Sequence, residues 1–299
     1  MNNAIPIFSE IVTVQAITQS VNTEELFDRN HKETNISPID AFLTNVNKIN
    51  MLWVSEEEIS SEMANIVFLG YMSAVESYIR ALVRGLIQID ALSQKIASVK
   101  EITFGAALHH SKELLPEALM DEFSFTHSDN IKETFKELLG IRIGLNNQTE
   151  LEFNNICQLR HCCVHRFGKL GAKNAMKLGI EKHNSLFEKP MKLSVENLNL
   201  IAKNLRSIVK QINNSTYKEI MIRTFPVPKN KEQRKEFEQQ GIKVIWKKIY
   251  ADDKALFKLY YNLFATKVDA IKSDTMHNSY KSFMASRNAE LALKAASNA

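Results

Sequence analysis

Residues 68 to 87 leave little freedom to the fold. Phe68, Met72, Val75, Ile79, Leu82 and Leu86 recur at helical spacing, and Leu69, Val83 and Ile87 make a second side of the same helix apolar. A helix apolar over so much of its circumference has to be surrounded, at the centre of a bundle or at a subunit interface. The pattern places its start near Ser55 and its end near Lys95, with Gly70 as a candidate break. Glu76 falls on the second apolar side, where a carboxylate needs a partner. Arg80, one turn on, is the local candidate, and Arg160 is the distant one.

Composition agrees with helices throughout. Nine glycines and six prolines in 299 residues are too few for turn-rich β structure, and 44% hydrophobic residues is a globular share. A net charge of +4 is no polycationic tail, yet it leaves room for a local basic surface. The three cysteines, Cys157, Cys162 and Cys163, are odd in number and crowd one helix. That excludes a disulfide framework and fits a reducing compartment. No uninterrupted apolar run of spanning length and no basic-then-apolar leader is present, so a soluble cytoplasmic protein without a membrane partner is expected.

The remaining elements follow from caps and stripes. Ser37-Pro38 opens a helix with Ile39, Phe42, Leu43, Val46 and Ile49 on one face. Ser128-Asp129-Asn130 caps Ile131 to Leu139, and Gly140 ends it. Ser194 caps a helix with Leu198, Ile201, Leu205, Ile208 and Ile212 inside. His109-His110 point to different sides of a helix and read as surface residues. Segment 5–14 is β-branched enough to read as a strand, which residues 242–246 would pair with, and 22–35 reads as a loop. Lys229 to Gln240 is a charged linker or an exposed helix, and Asp252 to Ala270 is amphipathic. The division expected is a 1–35 segment, a 36–225 helical bundle, a 226–272 C-terminal element and a 273–299 polar tail that is loose or a helix needing a partner. The fold class is all-α, with that one strand pair as a minor addition.

The chemistry concentrates in Arg160-His161-Cys162-Cys163-Val164-His165. Thr149-x-x-Glu152 has the form of a capping box, so a helix starts near Thr149, and Gly168 stops it. Phe153, Ile156, Leu159, Cys163, Val164 and Phe167 form its apolar stripe. Arg160 falls inside that stripe, while Asn154, Gln158, His161 and His165 fall on its flank. A guanidinium cannot give up its proton and has to find an anion, whereas an imidazole moves protons near neutral pH. A fixed cation beside a titratable imidazole suits phosphodiester cleavage. Arg160 and His165 lie about 140° apart around one helix, so convergence needs the reach of the Arg side chain or a second subunit.

Arg160, polar His161 and His165 form an Arg-x4-His pattern that resembles the ribonuclease motif of the HEPN superfamily. Ala74-Val75-Glu76-Ser77-Tyr78-Ile79-Arg80 resembles the early helix that packs on the motif helix in that family, and Asn130-Ile131-Lys132 with Leu138-Leu139-Gly140-Ile141 resembles the group found in bacterial toxins and phage-defence proteins. The resemblance spans about two-thirds of the chain. It implies an all-α bundle, a homodimer with the site near its interface, and a metal-independent, cofactor-free endoribonuclease acting as a toxin or anti-phage effector. Arg160, His165 and His161 are then catalytic, Glu76 orients Arg160, and an antitoxin or activating protein is a partner. Members paired with a nucleotidyltransferase antitoxin accept AMP on a Tyr two residues after the motif His; Phe167 stands there and has no hydroxyl.

After the motif, Gly168, Gly171 and Gly179 alternate with Lys169, Lys173, Lys177 and Lys182 over about 25 residues. This reads as a flexible basic loop, either a holder of RNA phosphates through Lys169 and Lys173 or a solvated connection. Two rival functions stand beside the ribonuclease. One is a non-catalytic HEPN-like module that binds RNA or a protein. The other is a helical zinc protein using Cys157, His161, His165 and Cys163, although zinc sites draw ligands from two segments and no Cys-x-x-Cys knuckle exists elsewhere.

Overall fold

The computed structural model describes residues 11–32 and 34–297, with the backbone alone at Ser297. Contacts divide the chain into a unit over residues 1–35 and a body over 36–299. In the first unit a three-ten turn, Thr23–Leu26, follows Asn22, and every described side chain is exposed. The strand expected at 5–14 falls mostly outside the described residues.

Every regular element described in the body is a helix: α1 (Pro38–Asn50), α2 (Ser61–Ile89), α3 (Ala91–Ala97), α4 (Phe104–His109), α5 (Leu115–Ala118), α6 (Ser128–Leu139), α7 (Asn147–Arg166), α8 (Ala172–His183), α9 (Val195–Thr224), α10 (Lys231–Gln240), α11 (Tyr250–Phe264) and α12 (Met276–Ser297). The all-α class read from the sequence is the observed one.

Helix α2 is central. It packs on α1, α3, α5, α6, α7, α9 and α11. Val67, Phe68, Tyr71, Val75, Tyr78, Ile79, Leu82, Val83 and Leu86 are all buried, each large side chain contributing about 1.5–3 kcal/mol of transfer free energy. By length and mean hydropathy, 1.4 over its most apolar stretch, α2 meets the requirement for a membrane span, but its apolar faces are covered by neighbouring helices. Gly70 does not break it. A Cβ there would lie 3.3 Å from Ile49 Cδ1, so the missing side chain lets α1 approach. The helix starts at Ser61, capped by Ser60, and stops at Asp90, which caps α3 instead.

Local cap chemistry sets the other starts. The Ser37 hydroxyl accepts from Asp40 N with Pro38 at the first position, and Ser194 and Asn197 form a reciprocal capping box. Gly140 ends α6 in the left-handed region at φ 66°.

The C-terminal third is joined to the bundle. Asp40 on α1 accepts from Lys267 N (3.0 Å) and Thr266 Oγ1 (2.6 Å) after α11. Tyr78 donates to Asn213, which donates to Phe264 O (3.0 Å). Residues 242–246 form no strand. They carry no regular structure, with Val244 and Ile245 exposed, and one side chain anchors them: Trp246 is buried among Phe257, Tyr260, Tyr280 and Phe283 and donates to Thr224 Oγ1 (3.0 Å). The segment expected to be a polar tail is α12, with Tyr280, Phe283, Met284 and Arg287 buried; Arg287 Nε donates to Phe225 O (3.0 Å). Lys231–Gln240 is the exposed-helix alternative, with no buried residue.

A buried ion pair ties α9 to α3, α6 and α11. Arg223 on α9 pairs with Asp90 and donates to Ser93 Oγ (2.6 Å) and Leu139 O. Asp90 also accepts from Ser93 N (2.7 Å) and Tyr260 Oη (3.4 Å). Removing one partner strands a buried charge. Asp90→Ala is expected to lower unfolding stability by about 3–5 kcal/mol, read as a lower denaturant midpoint. A loss under about 1 kcal/mol, the scale of an exposed pair, would show that the pair does not hold these helices together.

Candidate functional site

Helix α7 is held in register by polar bonds to three neighbours. Asn154 accepts from Ser128 N and donates to Ser128 Oγ, both at 2.9 Å, at the start of α6. Glu152 accepts from Asn204 on α9 (2.8 Å), and buried Gln158 accepts from Asn174 on α8 (3.2 Å). Glu150 accepts from Lys132 (2.6 Å), and that hydrogen bond, with the lysine's charge behind it, holds the carboxyl below its ordinary range. The helix starts at Asn147 rather than Thr149, because Asn146 supplies the cap and accepts from Thr149 N (2.8 Å). It ends at Arg166. Phe167 takes the left-handed conformation (φ 52°), and Gly168 N bonds back to Cys162 O (3.0 Å).

The stripe is narrower than its spacing predicts. Phe153, Ile156, Cys157 and Cys163 are buried, but Val164 is 45% and Phe167 81% exposed. The exposed end of α7 is therefore apolar beside His165, which is itself exposed.

Arg160 is half-buried, and among the described residues no hydrogen bond or ion pair holds its guanidinium. The clamp expected from Glu76 takes the local form instead. Glu76 Oε1 pairs with Arg80 Nε at 3.4 Å, one turn along α2. Arg80 has further anions in Glu117 (3.9 Å) and Asp121 (4.0 Å) and lies over the Phe125 ring. Glu76 and Arg160 nevertheless line one cleft of about 300 Å³, with Leu69, Met72 and Ser73 of α2, Phe125 and Thr126 before α6, and Val164 of α7.

His161 and His165 stack on the adjoining face, with ring centroids 5.9 Å apart and planes within 18°. Burial pushes the His161 imidazole below its ordinary value, and the charges of Arg160, His165, Lys177 and Lys173 push it the same way. Both influences favour the neutral form of the His161 imidazole.

The basic loop is not a loop. Leu170 N bonds Lys189 O (3.1 Å), Glu188 N bonds Leu170 O (3.0 Å) and Met191 N bonds Gly168 O (2.9 Å), closing the excursion at its base, where Arg166 pairs with Glu188. Inside it α8 packs on α7 through buried Ala175. Lys173 and Lys177, four apart on α8, both act on His161; Lys169 lies at the closure, opposite Pro190, and exerts no such effect. The structure therefore brings Arg160, His161, His165 and Lys173 into one region, adds Lys177, and leaves Lys169 aside. The spacing of Lys173 and Lys177 marks Lys177 once α8 is taken as a helix.

Among the described residues no three His, Cys, Asp or Glu side chains converge to hold a metal ion. Burial pushes the Cys157 and Cys163 thiols up to about 12, and Cys163 Sγ donates to Asn65 Oδ1 at 3.6 Å. Both behave as small core groups.

Comparison with protein-family models, curated proteins and solved structures gives no match to this chain.

The His161 environment carries a pH signature. A histidine with a folded pKa below its unfolded value of about 6.5 contributes stability above that value, lost as pH falls toward the folded pKa. Wild type is expected to lose stability between about pH 7.5 and pH 5.5, and His161→Gln to lose less, by urea midpoints. Equal slopes for the two proteins would show that His161 is not in a cationic, desolvated setting.

Proposed function

We propose that the chain is a metal-independent endoribonuclease of the HEPN kind. The observation that carries this reading is a half-buried guanidinium, Arg160, without an anionic partner among the described residues, beside two stacked imidazoles and two lysines of a second helix. A half-buried cation without an internal partner is set for an external anion, and a neutral imidazole can take a proton. A phosphodiester supplies the anion.

In the proposed reaction the RNA 2′-OH attacks the adjacent phosphorus. The 2′-oxygen forms a bond to phosphorus and the bond to the 5′-oxygen breaks, leaving a 2′,3′-cyclic phosphate and a 5′-OH. His165 acts as general base or acid, His161 orients the phosphate or shares the proton work, and Arg160 neutralises charge on the phosphorane. Lys173 and Lys177 hold flanking phosphates. DNA lacks the 2′-OH and resists.

Arg160 and His165 diverge by about 140° around α7. This favours a homodimer in which the two motifs face each other, and exposed Val164 and Phe167 supply apolar surface next to His165. The setting we propose is the cytoplasm, as a toxin or anti-phage effector restrained or triggered by a partner protein. The same divergence supports a second reading, a HEPN-like module that binds RNA or a protein without cutting.

Purified protein in EDTA is expected to fragment total cellular RNA, with Arg160→Ala and His165→Ala each slowing this by roughly a hundredfold or more. RNA left intact both in vitro and in cells that the protein poisons would end the nuclease reading; binding without cleavage would favour the module. Lys173→Ala/Lys177→Ala is expected to weaken RNA binding and flatten its salt dependence by about one counterion per lysine. An unchanged salt slope would remove α8 from the substrate path.

A further inference from the structure

The cleft that Arg160 shares with Glu76 is more than a phosphate site. Its α2 wall is built at helical spacing from Leu69, Met72, Ser73 and Glu76, and its α7 wall from Arg160 and Val164. Apolar side chains thus face a region that also holds one fixed cation and one carboxylate. A phosphate alone would use the cation and be repelled by Glu76. The ligand that uses both carries an anion at one end and hydrogen-bond donors at the other, with a flat apolar body between. A nucleotide has that form.

Glu76 narrows the choice of base. An ionised carboxylate only accepts hydrogen bonds. Glu76 Oε1 is engaged by Arg80, while Oε2 makes no hydrogen bond or ion pair among the described residues. Arg80 does not depend on Glu76, since Glu117 and Asp121 lie within 4.0 Å and the Phe125 ring lies beneath it. The carboxylate is therefore available to a ligand without leaving Arg80 unpaired. On the Watson–Crick edges, adenine and cytosine each set one amino group beside a ring acceptor that a carboxylate repels, and uracil offers one N–H between two carbonyls. Guanine alone presents two adjacent donors, N1–H and N2–H, matching the two oxygens of a carboxylate.

We propose that Glu76 reads a guanine base seated in this cleft, with the neighbouring phosphate on Arg160. This inference rests on the ribonuclease reading for its biological use, and it makes Glu76 a specificity residue rather than a clamp for Arg160.

The test is a calorimetric titration of the wild-type protein with 3′-GMP, 3′-IMP and 3′-AMP, none of which has a bond to cleave, repeated on Glu76→Gln. Expected is binding of 3′-GMP tighter than 3′-AMP by roughly tenfold or more, with 3′-IMP, which lacks the N2 amino group, between them. Glu76→Gln is expected to bring 3′-GMP to the level of 3′-AMP, with an unchanged thermal melt showing that the fold is retained. Equal affinities, no binding of any of the three, or a preference that survives Glu76→Gln would overturn the proposal. Sequencing fragment ends from an RNA digest separates the two readings. Cleavage without a guanosine at a fixed position beside the cut ends the guanine inference and leaves the nuclease standing. A GMP preference with RNA intact in vitro and in poisoned cells does the reverse.

Discussion

Burying α2 on almost every side is the requirement from which the other helices take their places. Its apolar residues cover too much of the circumference for one partner to hide, so α1, α9, α6, α7 and α11 each take a sector. Close approach is bought by absent side chains at two glycines: a Cβ at Gly70 would press on Ile49 of α1, and one at Gly85 would meet Leu263 of α11. The motif helix thereby becomes a wall of the same core. Cys157 and Cys163 face inward while Arg160 sits at the rim, half in and half out. The position of the candidate site is a consequence of how α2 is covered.

That position explains the electrostatics. A rim residue is desolvated enough for its charge to act on neighbours, yet open enough to meet a ligand. Arg160 acts on Cys157 and His161, and α8 brings Lys173 and Lys177 to bear on the same imidazole. Such a concentration of positive charge is unfavourable without an anion, and the carboxylate that shares the cleft, Glu76, has one oxygen on Arg80. An anionic ligand or a second copy of the chain is what the proposed function would place there.

What could be read from the sequence was what local chemistry decides. Ser37-Pro38, Ser194 and Gly140 mark helix ends because a cap is a contact within four residues. Where distant contacts decide, the reading failed. Gly70 looks like a break, but one glycine costs a helix only about 1 kcal/mol, a cost that packing against Ile49 offsets. Residues 242–246 look like a strand, but Trp246 is held by aromatic rings from α11 and α12 that no local pattern reveals. Helix α8 is hidden by its glycines and lysines; Ala175, Asn174 and the closure at Lys189 hold it. For the site, Arg160, His161 and His165 were legible as a spacing on one helix. The partner of Glu76 was not: a clamp on Arg160 was expected, and the pairing with Arg80 follows from how α2 and α7 are placed.

The account stands on a 2′-hydroxyl attacking a phosphate held by Arg160. The most direct measurement uses an oligonucleotide spanning a mapped cleavage site, with and without a single 2′-O-methyl group on the nucleotide before the cut, and analyses the ends formed in EDTA. The account predicts a 2′,3′-cyclic phosphate and a 5′-OH from the unmodified strand and no cutting of the methylated one. Cutting that survives methylation, or leaves a 3′-OH, would contradict it.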